Sequence, residues 1–161
     1  MNIKQYLAII LLLGTSAFAV ANDPTIKPFD SGSYQQILSE KADQGFMLVM
    51  WSLDCPTCIK DMELLSQIHK SRPNLKIIMI STDEPSATAE VQQMLEKYQL
   101  SDLENWIFAS DNGQKLRYEI DPSWYGEMPR TYFFSASHQR EGVSGALTQQ
   151  EYDARFSKMK I

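Results

Sequence analysis

Cys55 and Cys58 are the only cysteines among the 161 residues, and only Pro56 and Thr57 separate them. They sit in the stretch Trp51-Ser52-Leu53-Asp54-Cys55-Pro56-Thr57-Cys58-Ile59-Lys60-Asp61, entered by the apolar run Phe46 to Trp51 and left by a helical pattern. A helix that opens at a cysteine aims its unsatisfied N–H groups and positive dipole end at the sulfur. That environment favours thiolate over thiol. Pro56 suits the first helical position, where a missing N–H costs nothing. Cys58, nearly one helical turn on, is placed to close a disulfide with Cys55. The pattern predicts a dithiol/disulfide pair that exchanges.

Other uses of two cysteines fit less well. A static structural disulfide remains open, but closing so short a loop stabilises little, because the entropy removed from the unfolded chain is small. A structural zinc site needs four ligands, and His69 and His138 lack the spacing that would complete one. Haem attachment needs a histidine directly after the second cysteine, where Ile59 stands.

The elements that must position the pair follow from periodicity. Thr25 to Phe29 predicts a short edge strand, where Pro28 is tolerated. Tyr34, Ile37 and Leu38 mark one helical face over Ser33 to Ala42. Phe46 to Trp51 is apolar throughout and Leu75 to Ile80 is apolar but for Lys76, as parallel strands buried on both faces are. Ile59, Met62, Leu65 and Ile68 make the segment after Cys55 an amphipathic helix. Ser81 to Pro85 is expected to cap a further helix running to about Tyr98. Trp106 to Ala109 is a short strand, Asp111-Asn112-Gly113 a turn, and Gln114 to Tyr118 one or two helical turns. Thr131 to Phe134 forms a strand, Ser137 to Gly142 a polar turn, and Val143 to Gly145 a return strand. Thr148 and Glu151 make a capping box for a last helix with Tyr152, Phe156 and Met159 inward. Alternating strands and helices with a terminal hairpin predict an α/β domain, a mixed sheet covered on both faces.

The first 21 residues set the expected compartment. Lys4 precedes the apolar run Leu7 to Leu13, and Ala19-Val20-Ala21 has the small-x-small form of a signal-peptidase site. The run is shorter than the ~20 residues of a spanning helix. A cleaved export signal over 1–21 is expected, with an uncleaved anchor as the alternative, and one domain over 22–161. The net charge is −5, and removing the signal takes away one lysine and no acid. That balance argues against nucleic acid or an anionic membrane surface as partner.

The chain resembles thioredoxin-fold proteins, and more narrowly the exported TlpA/ResA-type thiol–disulfide reductases, over essentially all of Phe29 to Met159. The resemblance rests on Trp51-x-x-x-Cys55-x-x-Cys58 after a buried strand, on Asp61, on Met128-Pro129 before the strand at Thr131, and on the polar hairpin before the last helix. It implies a thioredoxin-like three-layer α/β/α sandwich, with the helix and strand between Ile80 and Gly113 as an insertion. It implies a cis Pro129 facing the disulfide, and a Met128 backbone that pairs with the substrate. Trp51, Pro56 and Thr57 would complete the substrate-binding surface. No metal or organic cofactor is implied. The partners would be a protein disulfide, such as that of an apocytochrome c, and a membrane-embedded thiol carrier as electron donor.

The chain departs from that family pattern in several places. Glu127 and Arg130 flank Met128-Pro129, putting a charged pair beside the expected groove. Asp54 precedes Cys55 where an aromatic residue is common, and its charge should raise the Cys55 pKa. Val49 stands where thioredoxins bury an acid, so Asp61 becomes the proton-handling candidate, its alternative role being a first-turn acid favouring the helix dipole. Pro56 resembles the glutaredoxin and DsbA arrangement.

The expected activity is therefore reduction of protein disulfides in the periplasm. Cys55 would attack, Cys58 would resolve the mixed disulfide, and Asp61 would assist proton transfer. An oxidant or isomerase using the same residues is the first alternative, and a non-catalytic thioredoxin-fold binding module is the second.

Overall fold

The structure is a computed structural model that describes residues 26–109 and 112–159. The signal segment expected over 1–21, the domain start at 22, Thr25 and Asp111 lie outside the described residues. The elements in chain order are β1 (Lys27–Phe29), α1 (Ser33–Glu40), β2 (Phe46–Trp51), α2 (Pro56–Ser71), β3 (Lys76–Ser81) and a short 3-10 turn at Pro85–Ala87. There follow α3 (Thr88–Lys97), β4 (Glu104–Phe108), α4 (Gly113–Ile120), β5 (Arg130–Phe134), β6 (Arg140–Ser144) and α5 (Gln149–Met159).

The six strands form one mixed sheet in the order β1-β4-β3-β2-β5-β6. β1, β4, β3 and β2 run parallel to one another, whereas β5 is antiparallel to both β2 and β6. β2 is buried at all six positions, so both of its faces must be covered. Met47, Val49 and Trp51 pack with residues of α2, α3 and α5; Phe46, Leu48 and Met50 pack with residues of α1 and α4. The architecture is a three-layer α/β/α sandwich. Each large apolar side chain removed from water in these layers contributes about 1.5–3 kcal/mol. Cross-strand pairing adds to this where Phe46 lies opposite Phe134 in register, the rings stacked with centroids 4.2 Å apart.

Both sheet edges discourage further pairing. β1 is three residues long and carries Pro28, and β6 carries Arg140 and Glu141. The sequence pattern predicts a polar turn over Ser137 to Gly142, but the turn is tighter. Ser135 N–H donates to the Gln139 carbonyl, His138 takes a left-handed φ of 56°, and β6 already begins at Arg140. An edge strand exposed on its outer side can be polar without being a turn. α4 likewise extends beyond its expected Tyr118 to Ile120, because Leu116 and Ile120 bury one face. The capping box of α5 is formed: the Glu151 carboxylate accepts from Thr148 N–H at 2.8 Å, and Thr148 Oγ1 accepts from Glu151 N–H at 3.3 Å.

Candidate redox site at the start of α2

The turn from β2 into α2 is built by short-range bonds. Cys55 N–H donates to the Ser52 carbonyl at 3.2 Å. Cys55 is the N-cap of α2, with extended backbone, and Pro56 occupies the first helical turn. The Cys55 sulfur takes the place of a capping oxygen, accepting from Cys58 N–H at 3.1 Å. The two cysteines are joined as a disulfide. Cys58 is 1% exposed, beneath the surface; Cys55 is partly exposed, and Pro56 and Thr57 are exposed beside it. The pair is therefore asymmetric, with Cys55 nearer to solvent than Cys58.

Asp61 follows Cys58 by three residues, so the two project from adjacent turns on the same side of α2. Burial raises the Asp61 carboxyl to about 6, which moves its titration toward neutral pH. Tyr152 of α5 is part of the same environment. Its hydroxyl is pushed well above the usual phenol range, first by burial, then by the Asp61 charge, with Thr131 acting in the opposite direction.

The wall beside the disulfide comes from the segment before β5. The pairing of β2 with β5 sets Met50 opposite Arg130. Carried one step further, that antiparallel register brings Pro129 beside Trp51, and so to the end of β2 from which Cys55 departs. The Met128–Pro129 peptide bond is cis. Pro129 is buried and Met128 half-buried. Thr82 Oγ1 donates to Met128 Sδ at 3.6 Å, tying this wall to the end of β3.

Two expectations need correction. Trp51, expected on the substrate-binding surface, is 1% exposed and sits in the apolar layer between sheet and α2; alternation along β2 puts it on the face of Met47 and Val49, which α2 covers. Arg130 does not flank the groove as half of a charged pair with Glu127. It lies on the other sheet face, where its guanidinium reaches Asp121 at 3.0 Å and Ser144 Oγ at 3.1 Å and lies over the Tyr132 ring. Asp121 is 4% exposed and also accepts from the Tyr132 hydroxyl at 3.1 Å. Burial disfavours its ionisation, but hydrogen bonds from Ser123, the Arg140 charge and the Tyr132 hydroxyl together hold its carboxyl below the usual range. Glu127 is exposed. Trp124 is buried, its indole N–H donating to the Glu127 carbonyl at 2.9 Å, and Tyr125 beside it is 91% exposed.

Asp83 was not visible as a site residue in the sequence. The run Ser81 to Pro85 reads as a cap for the following helix, yet the Asp83 carboxylate turns back toward the β2–α2 turn. It accepts from Ser52 Oγ at 2.7 Å, Leu53 N–H at 3.0 Å and Ser81 Oγ at 2.6 Å. A serine just before the cysteine turn, with an aspartate ending the neighbouring parallel strand, was the only available signal. The histidines lie away from the sulfurs. His69 is in the last turn of α2, paired with Asp102 at 3.0 Å, and His138 bonds the Lys41 carbonyl at 3.0 Å. Among the described residues, no cluster of three or more histidines, cysteines, aspartates or glutamates is placed to hold a metal ion.

The Redoxin family profile matches residues 23–135. No curated protein sequence matches the chain significantly. Among solved structures, a secreted Mycobacterium tuberculosis disulfide oxidoreductase homologous to Escherichia coli DsbE is similar, with a TM-score of 0.61 and 20% identity over 74% of this chain and 85% of that one. Mycobacterium tuberculosis DsbF, in mixed oxidized and reduced forms, has a TM-score of 0.62 and 16% identity over 75% and 84% of the two chains. StoA of Bacillus subtilis has a TM-score of 0.54 and 13% identity over 71% and 84%. At these identities the likeness is one of fold, and the fold is thioredoxin-like.

Proposed function

The chain belongs to the Redoxin family, and from that premise we propose that it is an exported thiol–disulfide oxidoreductase working as a reductase of protein disulfides. The observation that carries the reading is the asymmetry of the pair: Cys55 partly exposed at the N-cap of α2, and Cys58 buried behind it.

In the reduced protein the Cys55 thiolate attacks one sulfur of a substrate disulfide. The substrate S–S bond breaks, its second sulfur leaves as a thiolate, and a mixed disulfide forms. Cys58 then gives its proton to the Asp61 carboxylate, through water where the two do not touch, and attacks the Cys55 sulfur. The mixed disulfide breaks and the other substrate sulfur leaves. Two electrons have passed to the substrate, and Cys55–Cys58 is again a disulfide. An Asp61 carboxyl raised to about 6 is ionised at neutral pH yet basic enough to take a proton. Met128 and Pro129, with Pro56 and Thr57, form the surface on which the substrate strand lies.

A reductase must be recharged, and a membrane-embedded thiol carrier is the proposed donor. Export rests on the apolar run and small-residue site within residues 1–21. An exported disulfide that must be opened, as in apocytochrome c maturation, is the proposed substrate type.

One observation favours the opposite direction. The N–H of Cys58 on the Cys55 sulfur, with the helix N-terminus behind it, stabilises a Cys55 thiolate, and a stabilised thiolate makes a pair more oxidising. The exposed Asp54 charge opposes this. Equilibration of residues 22–161 with glutathione and dithiothreitol buffers decides between them. A potential near or below roughly −230 mV supports the reductase. A potential above roughly −150 mV makes the protein an oxidant. A pair that exchanges with neither buffer leaves a non-catalytic binding module.

A further inference from the structure

The tripeptide Ser81-Thr82-Asp83, at the end of β3, touches both walls of the redox site without touching either sulfur. Thr82 N–H donates to the Trp51 carbonyl at 2.9 Å, and its hydroxyl donates to Met128 Sδ at 3.6 Å. Asp83 takes three donors. Ser81 Oγ reaches it at 2.6 Å from its own strand, while Ser52 Oγ at 2.7 Å and Leu53 N–H at 3.0 Å reach it from the turn that leads to Cys55. The Ser52 hydroxyl in turn accepts from Asp54 N–H at 3.1 Å, and the Ser52 carbonyl accepts from Cys55 N–H at 3.2 Å. Each residue of the turn is thus bonded, directly or through Ser52, to one half-buried carboxylate.

Charged acceptors make the stronger hydrogen bonds, and a turn of four residues has few other constraints. We propose that Asp83 is a positioning residue of the redox centre, holding the Ser52–Cys55 turn so that the Cys55 sulfur stays in register with the Met128 wall. The inference rests on the proposed exchange activity and adds to it the group that sets its geometry. Disulfide exchange needs the attacking, central and leaving sulfurs in line. A polypeptide substrate lying on Met128 fixes two of them, so Cys55 must be held relative to that wall. A small dithiol carries no such requirement, since it can approach Cys55 from any open direction. Loosening the turn therefore slows exchange with a polypeptide and spares exchange with a small thiol, a selectivity that general destabilisation does not produce.

The test compares wild type, Asp83→Ala and Asp83→Asn in two reactions: reduction of insulin by the reduced protein, and reduction of the oxidised protein by dithiothreitol. Asp83→Ala should slow the insulin reaction by about tenfold or more and the dithiothreitol reaction by less than about threefold. Asp83→Asn keeps Oδ1 for Ser52 Oγ at 2.7 Å and Leu53 N–H at 3.3 Å and can donate to Ser81 Oγ in place of Oδ2, so it should recover much of the insulin rate. An unchanged insulin rate in Asp83→Ala, or a parallel fall in both reactions, overturns the inference and leaves the proposed activity standing. A wild-type pair inert to both reagents overturns the activity and the inference with it. If Asp83→Ala does not fold, as judged by circular dichroism, Ser52→Ala carries the same test by the same criteria, since it removes the hydroxyl linking Asp83 to Asp54 N–H.

Discussion

Cys58 and Asp61 stand three residues apart on α2, the cysteine 1% exposed and the aspartate half-buried with its carboxyl raised to about 6. The buried thiol that must lose a proton thus has a carboxylate one turn away whose affinity for protons lies close to neutral pH. Below about pH 6 that carboxylate is protonated and cannot accept.

The rate of mixed-disulfide resolution should accordingly rise through about pH 6, and Asp61→Asn should remove that rise and slow resolution by at least about tenfold at neutral pH. Stability gives an independent check. Because the folded pKa of about 6 exceeds the ordinary 3.8, the folded state holds this proton more tightly, and stability is lost as pH rises between those values. Urea unfolding should find Asp61→Asn more stable than wild type above about pH 6, with the gap closing toward pH 4.

Asp121 should behave with the opposite sign. Its carboxyl is held below the usual range, so its contribution is present above 3.8 and is lost as pH falls through its lower folded value. Removing it leaves Arg130 and Arg140 without this partner. Asp121→Ala should cost about 3 kcal/mol at neutral pH, and the difference from wild type, read from urea unfolding, should shrink in strong acid.

Asp54 is exposed and adjacent to Cys55. Its charge disfavours the thiolate through solvent-screened electrostatics, so Asp54→Asn should lower the Cys55 thiol pKa and make the pair more oxidising. Thiolate absorbance titration of the reduced protein measures the first shift. Glutathione equilibration measures the second.

The two cysteines should be separable by trapping. Cys58→Ser leaves an attacking sulfur with nothing to resolve it, so a stable mixed disulfide with insulin should accumulate and be visible on a non-reducing gel. Cys55→Ser should form none and lose exchange activity altogether, because Cys58 is 1% exposed. Trapping through Cys58 alone would reverse the assigned roles.

Much of this was legible because local rules carried it. A strand apolar at every position, such as Phe46 to Trp51, has to be covered on two faces. A cysteine before a proline at a helix start has to cap that helix. Those two constraints already imply layers and a sulfur at the surface. Arg130 and Trp51 are misplaced for one reason: adjacency in sequence is not adjacency in space. Arg130 follows Pro129 directly, but alternation along β5 sends it to the opposite face, into a site that Asp121 makes electrostatically favourable. Trp51 leads into the cysteine turn, yet α2 covers the face of β2 on which it lies. Polar residues at the start of β6 look like a turn for another reason: nothing local distinguishes an exposed edge strand from a loop.

What the sequence determined by itself was the chemistry and its carrier: two sulfurs one helical turn apart, the helix that opens on them, and the periodicities that make a covered mixed sheet. Those depend on neighbours a few residues apart. What only the tertiary structure decided was which distant groups meet that turn. Asp83 reaches it because β3 lies parallel to β2 in a register that sets Ser81 beside Trp51. Pro129 reaches it because β5 runs antiparallel on the other side. Strand pairing is set by the packing of the whole sheet between its two helical layers, so no window of sequence around Cys55 contains it.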